Sequence, residues 1–322
     1  MAFRALFQGA ARLLTDFQRA WLLPRRRADR PAPRDTVPPP PAPISYDTLK
    51  RLTLTDEVGR SLFEGYATHR ESARGDDETG WILLGLREQD EAIALATLPA
   101  GADSDAGVAH VRFNSAAQAV ASCMVRQSEK RLNFLGVVHT HPGSLRHPSE
   151  GDFRGDSQFV KSLRGREGVF GIGTADSKSA TVFAEQPKPH RQCLGELCLS
   201  WYSLKEGDKK YRPLAYNITI GPDLARPLHS VWDVIEKHAD ALDRLYRQQK
   251  SIGFEVIKGQ AGPALALSLP LAEPDTAVRV LLEGNGVKYF LARGQEWFEA
   301  DTEEPRIDRG VYLLLADLAT RE

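Results

Sequence analysis

The chain has 322 residues, 42% hydrophobic and 26% charged, with a formal net charge of -1 and a mean hydropathy of -0.36. That composition reads as a globular protein in water, with no global field to draw it to nucleic acid or acidic membranes. Three cysteines offer no disulfide framework and the odd count argues against a secreted scaffold, so a cytoplasmic, reducing compartment is expected.

Residues 1–30 carry seven arginines against Asp16 and Asp29. Within them Phe3, Leu6, Phe7, Ala10, Leu13, Leu14, Phe17 and Trp21 recur at steps of three and four, which predicts an amphipathic basic helix. Arg12, Asp16 and Arg19 interrupt its apolar residues, so it does not read as a signal peptide. Either it contacts a membrane surface or a partner through residues 2–27, or it docks on the protein's own body. A proline-rich linker, 31–43 (PAPRDTVPPPPAP), follows.

From 44 to about 210 helical and strand patterns alternate. Thr55–Ser72 predicts a helix, Trp81–Leu86 a buried strand far short of the ~20 residues of a membrane span, and Ala92–Leu98 another strand. His110–Phe113 is a short strand, Ser115–Lys130 a helix, and Phe134–Val138 a strand ending at His139. A helix is expected from about Ser149 to Leu163, then strands at Gly168–Thr174, Ala180–Glu185 and Leu194–Ser203. This order predicts an α/β (α+β) core, a single mixed sheet flanked by helices. Residues 215–322 predict a separate C-terminal α+β domain. Its helix carries Leu228, Val231, Trp232, Ile235, Ala239, Leu242, Leu245 and Tyr246, and strands follow at Gly253–Ile257, Ala264–Leu269, Val278–Glu283 and, after a Gly284-Asn285-Gly286 turn, Val287–Ala292.

The chemistry concentrates in Phe134–Phe153, FLGVVHTHPGSLRHPSEGDF. Val137, His139 and His141 share parity at the end of an apolar strand, so both imidazoles project from one face. Asp152 follows a loop rich in proline and glycine that can fold back. Two histidines and a carboxylate are ligands zinc accepts, with a fourth position left for water. Ser149-x-x-Asp152 equally fits a capping box, and a carboxylate fixed in a first helical turn would be a well-placed ligand. Glu150 and His147 read as loop and helix-start residues, His147 being the one placed to touch substrate. A hydrolytic site also needs a base. Glu78 enters an apolar strand, but spacing does not separate it from Asp76, Asp77 or Glu88. Cys193 and Cys198, five apart on one strand, would face opposite ways and read as packing residues. Cys123 reads as helix core, and Asp156 as a solvated residue or a partner to a ligand.

Glu78 ahead of Gly80-x-x-x-x-Gly85, then His139-Thr140-His141-Pro142, then Ser149 and Asp152, resembles the JAMM motif of the JAB/MPN+ metalloproteases. The similarity spans roughly residues 45–205. It departs at Trp81, where prokaryotic relatives often have glycine and where the larger ring would narrow the cleft. The resemblance implies a zinc isopeptidase acting at the C-terminus of a ubiquitin-like protein or its conjugates. It implies that His139, His141 and Asp152 bind Zn2+, that Glu78 activates water, and that Ser149 donates to the oxyanion. Cognate activating and conjugating enzymes are implied partners. Release of cargo from a ubiquitin-like sulfur carrier and a non-catalytic scaffold are the alternatives. A DNA-repair role is disfavoured because no basic patch accompanies the core.

Overall fold

The computed structural model describes residues 45–100, 116–176, 188–284 and 286–320. The N-terminal helix (1–30), the linker (31–43), and the strands expected at His110–Phe113 and Ala180–Glu185 lie outside them. The chain forms two compact units, one from Ser45 to Asp243 and one containing Arg244 onward. No helix among the described residues is long and apolar enough to cross a membrane.

In the first unit, β1 (Arg51–Thr55) leads into α1 (Asp56–Glu71). Thr55 caps this helix by accepting from the Val58 N–H, Asp56 and Glu57 occupy its positive end, and His69 and Arg70 its negative end. Next come β2 (Gly80–Arg87), β3 (Glu91–Pro99), α2 (Ala116–Ser128), β4 (Asn133–Thr140), α3 (Glu150–Phe159) and β5 (Glu167–Thr174). β6 (Arg191–Leu194), β7 (Leu197–Lys205), β8 (Arg212–Pro213) and β9 (Ala215–Thr219) complete a nine-stranded mixed sheet. Its order is β6-β7-β5-β4-β2-β3-β1-β9, with β8 beside β7. β4 pairs antiparallel with β2 and parallel with β5, which places it between two apolar strands. Val58, Leu62, Phe63 and Tyr66 of α1 pack into one buried cluster with Trp81, Leu83, Val138 and Trp201. At the β4 end nearest His139, beyond the register shift at Leu83/Leu84, this cluster fixes the strand parity: Trp81 and Leu83 of β2 and Val138 of β4 face α1, and the alternate positions face away.

Gly85, part of the motif, lies where the β2–β3 register shifts, and a Cβ there would fall 1.9 Å from the Ile93 carbonyl oxygen. Only glycine permits that approach. Glu167 anchors the start of β5. Its carboxylate accepts from Leu49 N (2.9 Å) and Arg87 Nη2 (3.3 Å) and also pairs with Arg212, while the Arg87 and Glu167 side chains are 2% and 0% exposed.

Three sequence expectations change here. The stretch Leu194–Ser203 is not one strand. The Gly195-Glu196 turn, with Gly195 at φ +61°, reverses the chain, so Cys193 and Cys198 become cross-strand partners and form a disulfide. Cysteine usage therefore no longer argues for a reducing compartment. The helix after Ser149 ends at Phe159 and gives way to short 3-10 turns at Val160–Ser162 and Arg164–Arg166. Residues 215–243, assigned from the sequence to the C-terminal domain, fall in the first unit, where β9 pairs with β1 and the unit extends to Asp243. A short helix, α4 (Arg226–His229), precedes α5 (Trp232–Gln248), whose apolar residues Trp232, Ile235, Ala239, Leu242 and Leu245 are buried.

The second unit holds an antiparallel sheet of five strands among the described residues: β10 (Gly253–Lys258), β11 (Pro263–Pro270), β12 (Thr276–Glu283), β13 (Gly286–Arg293) and β14 (Glu296–Glu299). Helix α6 (Ile307–Thr320) follows, and the buried Tyr289 of β13 donates its hydroxyl to the Glu304 carbonyl just before it (2.7 Å).

Candidate metal centre

The β2–β4 register pairs Gly80 with His139 and Trp81 with Val138. Continued past the strand ends, it sets Thr79 opposite Thr140 and Glu78 opposite His141. Thr79 and Thr140 hold that extension closed: Thr140 N donates to the Thr79 carbonyl (2.9 Å), and Thr79 N donates to Thr140 Oγ1 (2.9 Å). Parity then puts Glu78, His139 and His141 on the face away from α1.

The two imidazoles are each 5% exposed, with their Nε2 atoms 3.1 Å apart. Asp152 closes the group, Oδ1 lying 3.2 Å from His139 Nε2 and Oδ2 3.5 Å from His141 Nε2. One ligand atom from each of the three falls within 4.8 Å of the others. His141 Nδ1 lies 2.8 Å from the Leu145 carbonyl oxygen. A carbonyl only accepts, so Nδ1 carries the proton and Nε2 presents its lone pair to the group. Two buried imidazole nitrogens and a carboxylate oxygen this close need a shared proton or a cation between them, and the donor set fits a metal ion.

Asp152 reaches the site through its helix cap. Ser149 N donates to Asp152 Oδ2 (2.6 Å) and Asp152 N donates to Ser149 Oγ (3.2 Å), a capping box in which the carboxylate also lies at the positive end of α3. The ligand and cap readings of Asp152 are thus compatible in one geometry. Ser149 Oγ, acting as acceptor there, keeps its hydroxyl proton free to donate.

Burial separates Glu78 from the other carboxylates. It is 6% exposed, whereas Asp76 and Glu88 face solvent and Asp77 pairs with Arg74 (2.9 Å). Desolvation pushes the Glu78 carboxyl up to about 7; the nearby His141 opposes this and Asp152 adds to it. For Asp152, burial favours the neutral acid, but hydrogen bonds with His139 and His141 and with the Ser149 amide outweigh it and hold the carboxyl well below its usual range. For His141, burial works against the imidazolium, yet the Asp152 and Leu145 partners raise it above its ordinary value.

Other expected residues fall outside this group. His147 and Glu150 are exposed. Trp81 does not narrow the cleft, because it sits on the opposite face beneath α1, against Gly65. Asp156 is not solvated: Tyr211 donates to it (2.7 Å), and burial pushes its carboxyl up to about 7. Spacing did not reveal the Thr79–Thr140 clamp or the Leu145 carbonyl, since neither residue type announces a site; alternation along His139-Thr140-His141 could have signalled only that Thr140 points to the other face.

Residues 61–183 match the family described as prokaryotic homologs of the JAB domain. Among solved structures, the solution structure of protein DSY2949 from Desulfitobacterium hafniense is similar at 17% identity and a TM-score of 0.36, over 53% of this chain and 95% of that one, too loosely to bear on function. No curated protein matches the chain.

Proposed function

We propose that this protein, whose residues 61–183 match the prokaryotic homologs of the JAB domain, is a zinc-dependent isopeptidase. It cleaves the peptide or isopeptide bond at the C-terminus of a ubiquitin-like modifier, for precursor processing or deconjugation. The observation that carries this reading is the convergence of His139, His141 and Asp152 beside a buried glutamate of raised proton affinity.

His139 Nε2, His141 Nε2 and Asp152 would hold the ion. Zinc, when bound, supplies Lewis acidity towards water and towards the scissile carbonyl. Glu78 accepts a proton from the attacking water and passes it to the leaving amine, a task suited to a carboxylate titrating near neutrality. Ser149 donates a hydrogen bond from its hydroxyl to the oxyanion that develops on the carbonyl. The leaving group is the substrate lysine amine or the amino terminus of the residue after the modifier. Enzymes that activate and conjugate the same modifier are the partners this reading implies.

The test is cleavage of fusions to ubiquitin-like proteins from the same genome by wild type and Glu78→Gln, with zinc content measured on both. The expected result is a loss of about 10²–10⁴-fold in rate with zinc retained. Full cleavage by Glu78→Gln removes the base from the scheme, and zinc binding without cleavage by wild type favours the scaffold.

A further inference from the structure

We propose that Arg146, Asp176 and Tyr202 form a latch that positions His141 for metal binding through the Leu145 carbonyl; the inference rests on the metal-site reading above. The Leu145 carbonyl fixes which nitrogen of His141 carries the proton. Its own position depends on the loop after Pro142, where residues 142–145 are exposed and Gly143 adopts φ +110°. Such a loop does not hold a carbonyl in register by its own contacts.

The anchorage comes at the next residue. The Arg146 carbonyl accepts from the hydroxyl of Tyr202, a buried side chain on β7 (2.7 Å). The Arg146 guanidinium grips Asp176 at two points, Nη2 to Oδ2 at 2.8 Å and Nε to Oδ1 at 3.1 Å, and Nη2 also reaches the Asp176 carbonyl (3.4 Å). These charged side chains are only 14% and 17% exposed, unlike surface pairs that solvent screens. Thr174, fully buried at the end of β5, donates to Asp176 Oδ1 (2.9 Å) and so fixes the acceptor. The same strand end holds the His141 backbone, since His141 N donates to the Gly173 carbonyl (2.8 Å). His141 is thus held twice from β5: directly at its backbone, and at its ring through Asp176, Arg146 and Leu145. Neither Arg146 nor Asp176 touches the ligand atoms, so they act as positioning residues.

The test uses the full chain and zinc alone. In metal-free protein above the imidazolium titration, nitrogen NMR of the ring should find His141 protonated at Nδ1 in wild type. Arg146→Met and Asp176→Asn should give a mixture of tautomers and weaken zinc binding about tenfold or more, measured by chelator competition. Arg146→Lys, which keeps the charge but not the two-point grip, should recover part of the loss. Tyr202→Phe removes one hydroxyl and leaves the ring packing, so it carries the test where the Arg146 variants fail to fold; it should shift the same tautomer. Wild-type tautomer and zinc affinity in Arg146→Met and Tyr202→Phe overturn the latch while leaving the metal site intact. Absence of zinc binding in wild type overturns the metal-site reading, and the tautomer still reports on the latch.

Discussion

Replacing Asp152 by asparagine separates its part in the helix cap from its proposed part as a metal ligand. In the metal-free protein the amide oxygen still accepts from Ser149 N, whose bond to Oδ2 is 2.6 Å in wild type. What disappears is the charge: a charge-assisted bond becomes a neutral one about half as strong, and the first turn of α3 loses an anion facing His139 Nε2 at 3.2 Å. Together these cost about 1–2 kcal/mol. The metal loses far more. Four-ligand zinc sites bind with about 10–16 kcal/mol, or about 3–4 kcal/mol per ligand, so one anionic ligand of three accounts for about 10²–10³ in affinity. At zinc a thousandfold above its dissociation constant, wild type gains about 4 kcal/mol of stability, and the variant at the same zinc gains only about 0.4–1.4 kcal/mol. Urea unfolding with and without zinc reads both quantities. A zinc-dependent gain in Asp152→Asn equal to that of wild type refutes the ligand role.

The remaining predictions concern protonation and the core. Glu78 is raised in the folded protein, so metal-free protein is favoured while the folded carboxyl keeps its proton and the unfolded one has lost none. That advantage is complete below the ordinary carboxylate range and is lost as pH rises towards and through about 7, a change of about 3 kcal/mol that Glu78→Gln removes. Unfolding midpoints in chelator between pH 4 and pH 8 check this; a wild-type slope unchanged in Glu78→Gln contradicts it. Glu167→Ala leaves the buried Arg87 guanidinium with only carbonyl partners, Gln89 at 2.9 Å among them, and frees the Leu49 amide. It should cost about 3–5 kcal/mol by chemical denaturation, and a cost below about 1 kcal/mol would show that the cluster does not anchor β5.

Much of the core was legible because local rules decide it. The helix read at Thr55–Ser72 is α1, and alternation through Val137, His139 and His141 announced a shared face. Asp152 was legible twice, as N3 of a capping box and as a carboxylate behind a flexible loop. The rest depended on contacts between distant segments. Glu78 could not be told from Asp76 and Asp77 until the β2–β4 register buried one and left its neighbours to solvent or to Arg74. β9 reads as the start of a new domain because its partner β1 lies at the other end of the unit. Cys193 and Cys198 were placed on one strand because a two-residue turn through Gly195-Glu196 was read as strand interior.

The most direct measurement is anomalous diffraction at the zinc absorption edge from crystals of the full chain grown with zinc. The account predicts one peak within bonding distance, about 2.0–2.2 Å, of His139 Nε2, His141 Nε2 and an Asp152 oxygen, and its loss in His139→Ala. A peak elsewhere, or none at these three residues, would contradict it.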